Sequence, residues 1–260
     1  MPKRQVAFRR IFRNPRKFAQ ERHAYAHWTP RLGPWAPRLV RVEHHPPALV
    51  LTELAGQPLE TMRLPATQTC EVHRCAGSIL ARLHAIPEPD EDPLSIENAL
   101  ILRARNLIKR AATTEVRQAA RKAAEQLTHA LMHCQPRGRV PCHRDFEPRN
   151  WLVELGPPLR VFVIDFEHAR MDLALADLTR LRCLVWPERP DLEEAFFQGY
   201  GTRLDSTERT LLEALSRLDA VGTWIWGIRH HDRSFIERAH RMMNALIGEG
   251  PISENPCEKP

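Results

Sequence analysis

The strongest constraint on this chain lies between positions 142 and 167. The run reads Cys142-His143-Arg144-Asp145-Phe146-Glu147-Pro148-Arg149-Asn150 and passes into the apolar Trp151-Leu152-Val153. After Gly156-Pro157-Pro158 a second apolar run, Val161-Phe162-Val163-Ile164, ends in Asp165-Phe166-Glu167. Gly-Pro-Pro marks a turn, and the β-branched and aromatic residues on either side predict a short hairpin. Asn150 then stands at its entrance, Asp165 at its exit and Asp145 in the loop just before it.

Those residue types in that order point to phosphoryl transfer. The reaction asks little covalent work of a protein; it needs an acid to take a hydroxyl proton and hard oxygen donors for a metal bridging nucleotide phosphates. Asp145 is the candidate base. Asn150, five residues on, and Asp165, fifteen further, are the candidate metal ligands. His-Arg-Asp alone recurs by chance. Followed at the right spacing by Asn, two apolar runs and Asp-Phe, it is far more specific than an ordinary hairpin with solvated acids beside it.

The whole pattern resembles the aminoglycoside phosphotransferase and choline kinase family, small-molecule kinases with a protein-kinase-like fold. His143-Arg144-Asp145 to Asn150 resembles the catalytic loop, and Ile164-Asp165-Phe166-Glu167 resembles the metal-binding segment. Asp177-Leu178 resembles the element that steadies the loop from below. Leu83-His84-Ala85-Ile86-Pro87 and Phe196 to Gly201 resemble further stretches, and the likeness runs from about Arg10 to about residue 245.

It implies an α+β, bilobal protein-kinase-like fold. A reduced β-rich N-lobe would occupy residues 1–55, a mostly helical C-lobe 56–248 and a loose tail 249–260. It also implies ATP and Mg²⁺ as cofactors and a small-molecule hydroxyl as acceptor, seated against the helices of residues 191–245. Glu167 stands where protein kinases have Gly, which favours small-molecule over protein substrates.

On the nucleotide side the resemblance implies a strand Lys that grips phosphate, a helix Glu that orients it, and a hinge whose backbone reads the adenine edge. Glu21 fits the helix position, and Glu53-Leu54-Ala55-Gly56 fits the hinge, with Glu53 and Ala55 as the readers. The strand position holds arginine. Arg10 is assigned to it with Glu21; Arg9, Lys17 and Lys3 are alternatives. An arginine fork contacts phosphate differently from a compact ammonium. Only about five residues precede this strand and none forms a Gly-rich segment, so the N-lobe is either reduced or begins upstream. These departures leave two other readings open, a degenerate kinase-like protein that binds without turnover and, less favoured, a basic nucleic-acid-binding module.

Composition narrows the field. With 260 residues, 43% of them hydrophobic, the chain can bury a sizeable core. No apolar run approaches the ~18–20 residues of a membrane span, and the basic N-terminus has no apolar segment, so a cytoplasmic location and no membrane partner are expected. Six scattered cysteines without a C-x-x-C pair read as reduced thiols, and neither Cys70/His73/Cys75 nor Cys134/Cys142/His143 has zinc-site spacing. The net charge is +6, with much of the excess in the first 17 residues. Few aromatics accompany it, so a solvated face is favoured over a nucleic-acid platform. Aminoglycosides, as polycations, fit this charge poorly. Nothing in the sequence speaks to oligomeric state.

Periodicity and punctuation predict a strand at 5–12 and a helix from Asn14-Pro15 to about Trp28. Strands follow at 38–42 and 48–52, then helices at 66–86, 95–111 and 114–134. After the hairpin come helices at 173–186 and 191–199, one opened by a capping box at Asp205-Ser-Thr-Glu208, and one at 234–247. His84 and His133 read as packed or capping residues, and Asp177 as structural.

Overall fold

The computed structural model describes residues 7–247; positions 5 and 6 of the first expected strand, Lys3 and the expected tail lie outside them. β1 (Ala7–Ile11), β2 (Leu39–His44) and β3 (Pro47–Thr52) form an antiparallel sheet in the order β1-β3-β2. Ala48, Leu49, Val50 and Leu51 of β3 are buried, as a central strand covered on both faces requires. Pairing of Phe8 with Leu51 and of Arg10 with Leu49 puts Phe8 and Arg10 on one face of the edge strand β1.

Asn14 starts α1 (Pro15–His23): its side chain accepts from the N–H groups of Arg16 and Lys17, and Pro15 fills the first helical position. The expected end at Trp28 is overrun. A π-type turn over Ala24–Trp28 leads into α2 (Thr29–Leu32). Buried Ala24, Tyr25, Trp28 and Leu32 keep the apolar stripe going, and Pro30 sits in the first turn of α2, where a missing N–H costs little.

Gly56 carries the chain out of this sheet at φ +105°, and a Cβ there would lie 2.6 Å from the Val153 carbonyl oxygen. No other residue fits so close a crossing. β4 (Gln57–Pro58) follows, then α3 (Ala66–His84), α4 (Ile96–Arg110) and α5 (Thr114–His133), the last two capped by Ser95 and Thr113. β5 (Val140–Cys142) precedes the hairpin of β6 (Trp151–Glu154) and β7 (Arg160–Val163); β8 is Arg170–Asp172. The hairpin forms where expected, β4 adds to its β6 edge, and β5 pairs with β8.

One helix expected at 173–186 is instead a 3-10 turn, Ala174–Asp177, followed by α6 (Thr179–Leu184). The tighter turn aims the buried Asp177 carboxylate at the loop after β5, a tertiary demand that overrides local propensity. α7 (Pro190–Tyr200), α8 (Ser206–His230) and α9 (Arg233–Asn244) complete the chain, and both hydrogen bonds of the expected capping box at Asp205 and Glu208 are present. His84 packs as expected, whereas His133 is exposed in the last turn of α5 with its ring tilted against His129, so it is not packed in the core.

The core gathers beneath the hairpin. Trp151 is fully buried, with ring centroids 5.0 Å from Phe146 and 5.1 Å from His73, and Phe146 meets Phe196. Burying each such aromatic contributes about 2–3 kcal/mol. The loop carrying Asp145 therefore rests on a rigid aromatic floor. Among the described residues no helix is long and apolar enough to cross a membrane.

Candidate active site

The loop between β5 and β6 is held from below. His143 is fully buried; its Nε2 lies 2.9 Å from the Ile164 carbonyl, and its ring packs 4.7 Å from Phe166. Arg144 takes the left-handed conformation, φ 68°, which costs a non-glycine residue about 1 kcal/mol or more. Asp177 offsets that cost by accepting the backbone N–H groups of both His143, at 2.8 Å, and Arg144, at 2.5 Å. His84 Nε2 holds the same carboxylate at 3.0 Å, with its Nδ1 2.8 Å from the Tyr200 hydroxyl. Burial would push the Asp177 carboxyl up, but the hydrogen bond from His84 and the charges nearby bring it below the usual range. The Arg144 guanidinium turns to Asp172, 3.1 Å away.

Asp145 is 6% exposed. Its Oδ2 accepts from Arg149 Nη2 at 2.8 Å and from Asn150 Nδ2 at 3.0 Å, while Arg180 stands 4.0 Å from Oδ1. Burial alone would raise its carboxyl; Arg180 and Arg149 more than offset this and hold it well below the usual carboxylate range. Asn150 also donates Nδ2 to the Asp145 carbonyl at 2.8 Å, and its own carbonyl accepts from Ile164 N–H at 3.0 Å. That last bond fastens Asn150 to the strand end before Asp165.

Asp165, like Arg144, has a left-handed backbone, φ 66°. Its Oδ1 accepts from Arg10 Nη1 at 2.8 Å, and the other arm of the Arg10 fork reaches Glu167 at 2.5 Å. Arg10 Nε lies 3.3 Å from Glu21, which is fully buried on α1. Among the described residues, Arg10 is the basic side chain of the expected strand that meets Glu21. Arg9 points the other way, to Glu43 at 2.8 Å, and Lys17 pairs with Glu167 at 3.1 Å and not with Glu21. Burial drives the Glu21 carboxyl up to about 8 against the pull of Arg10.

These donors suit a divalent cation. Asn150 spends its nitrogen on Asp145, which leaves its amide oxygen as the ligating atom. Carboxylate oxygens of Glu21, Asp165 and Glu167 lie within 4.8 Å of one another, and neither oxygen of Glu21 has a hydrogen-bond donor. An all-oxygen set with spare lone pairs is what a hard ion such as Mg²⁺ takes.

Glu53 and Ala55 lie apart from this centre. They border a cleft of about 700 Å³ shared with Pro34, Arg38, Glu154 and Phe162; Asp145, Asn150 and Asp165 do not line it. The sequence also left unforeseen a belt of ion pairs around Asp145. Glu147 is gripped by Arg149 at 2.7 Å and by Arg238 of α9, and Arg180 of α6 reaches Asp219 of α8 at 2.8 Å. The Asp145/Arg149 spacing of four was visible; the arrival of α6, α8 and α9 was not.

The model of the phosphotransferase enzyme family matches residues 4–215. No curated protein matches the sequence. Among solved structures, the GDP complex of an aminoglycoside 2′-phosphotransferase-IIIa superposes with a TM-score of 0.69 at 14% identity, over 93% of this chain and 86% of that one. An ethanolamine kinase from Plasmodium vivax gives 0.67 at 14%, over 95% and 77%, and a type I macrolide 2′-phosphotransferase 0.62 at 15%, over 90% and 81%. At such identities the superpositions speak for the fold, which is the bilobal protein-kinase-like one with a small β-rich N-lobe and a helical C-lobe. The family-model match decides the rest: this chain belongs to the phosphotransferase enzyme family.

Proposed function

We propose that the chain is an ATP-dependent phosphotransferase that moves the γ-phosphoryl group to a hydroxyl of a small molecule. One observation carries this reading: Asp145 bonded to Asn150, and Asp165 bonded to the Arg10 that also meets buried Glu21, all on one rigid framework. In this reading Asp145, kept ionised by Arg149 and Arg180, takes the acceptor's hydroxyl proton as that oxygen bonds to phosphorus. The bond from the γ-phosphorus to the bridging oxygen breaks, and ADP leaves. Asn150 and Asp165 would hold Mg²⁺, which when bound neutralises charge developing on the phosphate oxygens. Arg10, oriented by Glu21, turns its fork to phosphate, and the hinge backbone at Glu53 and Ala55 meets the adenine edge. Residues up to Ala55 form the nucleotide-side lobe, and residues from Gly56 the acceptor-side lobe. A cytoplasmic setting, where ATP is available, suits this chemistry.

A second reading, binding without turnover, is favoured by one feature: Arg10 neutralises Asp165 itself. Thermal melting separates the possibilities. ATP with excess Mg²⁺ should raise the melting temperature by several degrees, since at 100 times Kd a ligand adds about 2.7 kcal/mol. Asp165→Ala should lose that shift. No shift in the wild type sinks the nucleotide-binding role; a shift without ADP release under any acceptor supports the binding protein.

A further inference from the structure

The carboxylates around Asp145 are already engaged by arginines. Glu147 is held by Arg149 and Arg238, and Asp219 by Arg180 at 2.8 Å and Arg103 at 3.5 Å. Three acids on the acceptor-side helices are matched in the same way: Glu193 meets Arg209, Glu194 meets Arg203, and Glu213 meets Arg217. Around Asp145, an ammonium group on an acceptor would have to displace a guanidinium from every carboxylate it approached.

The guanidiniums, in contrast, retain donors. Each carries five N–H groups. Arg149 commits Nε and Nη2 to Glu147 and Asp145, with 39% of its side chain exposed. Arg238 grips Glu147 through Nη2 while its buried Nε has no hydrogen-bond partner. Three planar forks from three separate elements meet at the Asp145 and Glu147 carboxylates: Arg149 of the loop touches both, Arg180 of α6 stands by Asp145, and Arg238 of α9 holds Glu147. Such forks match the paired oxygens of a phosphate or carboxylate.

We propose that the acceptor is an anionic alcohol, a hydroxyl compound whose phosphate or carboxylate group docks on Arg149, Arg180 and Arg238 while its hydroxyl reaches Asp145. This rests on the phosphotransferase reading and sharpens it: the acceptor carries charge opposite to that of an amine such as ethanolamine. The forks fix the anion, and the hydroxyl end of the molecule is left to face the γ-phosphorus.

The test uses the full chain saturated with Mg²⁺ and a non-hydrolysable ATP analogue, at matched ionic strength. Melting temperature is read with inorganic phosphate, sn-glycerol 3-phosphate or 3-phosphoglycerate, and with ethanolamine, kanamycin or glycerol. The anions should add a further shift of a few degrees, and the amines and glycerol none. Arg149→Gln and Arg238→Gln should each keep the nucleotide shift and lose the anion shift; Arg149, with 39% of its side chain exposed against 15% for Arg238, is the variant expected to disturb the fold less. A shift from the amines alone, from none of the compounds, or from anions equally in both variants would overturn the proposal while leaving the nucleotide site intact. Loss of the nucleotide shift itself removes the underlying reading, and the anionic acceptor with it.

Discussion

Asp145 can act as a base only while ionised, and its burial opposes that. Arg149 and Arg180 win the contest, so the residue stays ionised. Asp145→Asn, which keeps the hydrogen bond to Asn150 possible, should lower kcat by about 10²–10⁴. Asp145→Ala is the poorer probe, because it strips a carboxylate from a partly buried arginine cluster and confounds chemistry with stability. His73 offers a test away from the site. It is buried against Trp151, and burial, reinforced by the charge of Arg189, lowers its pKa from 6.5 to about 4. The folded chain thus binds this proton less readily than the unfolded one, so the residue's contribution is present above pH 6.5 and is lost as pH falls towards 4. At pH 5 the cost should be about 2 kcal/mol relative to pH 7. Urea unfolding of wild type and His73→Gln at both values checks this: the difference should shrink by that amount in the variant.

Among elements, the α3–α7 crossing sets the tightest tolerance. A Cβ on Gly77 would sit 2.1 Å from the Phe196 carbonyl oxygen, and one on Gly199 1.8 Å from that of Arg74. The two helices touch backbone to backbone, and α7 underlies the loop through the Phe196–Phe146 contact. Gly199→Ala should therefore cost at least about 2 kcal/mol, by forcing the helices apart. Gly201 ends α7 at φ +89° with open space around it, so Gly201→Ala should cost only about 1 kcal/mol of backbone strain. Equal denaturation midpoints for the two variants would contradict this packing account. The same elements show what a sequence can disclose. The Asp205 capping box and the hairpin announce themselves through local residue types. The three-residue strands β5 and β8 do not, because each exists only through the other, and the break at Asp177 answers to a loop 34 residues earlier.

For the molecule as a whole, the fold was legible because one local pattern carried it, and the positions of Asp145, Asn150 and Asp165 followed from the hairpin between them. The arginine belt was not legible. Arg149, Arg180 and Arg238 are far apart in the chain, and nothing in their local sequence says that three elements meet at the neighbouring Asp145 and Glu147 carboxylates. Arg10 holds the small sheet to the helical part by joining β1, Glu21 and the segment after β7. Arg10→Ala should break the charged hydrogen bonds to Asp165 and Glu167 and cost about 2 kcal/mol. Amide exchange should accelerate in β1 and α1 while α8 and α9 keep their protection. Uniform acceleration would mean that this tie is not what joins the two parts.

The same fork has a consequence for how such a site senses its surroundings. At Asp165 and Glu167 the chain carries its own counter-ion, so a divalent cation arriving alone must first displace a guanidinium that has nowhere else to go. A nucleotide changes the exchange, because its phosphates give the displaced guanidinium somewhere to go. On the proposed roles, Mg²⁺ by itself should leave the melting temperature unmoved, and the response to both together should exceed the sum of the separate ones. The site would then work as a coincidence detector, registering metal only in the company of phosphate.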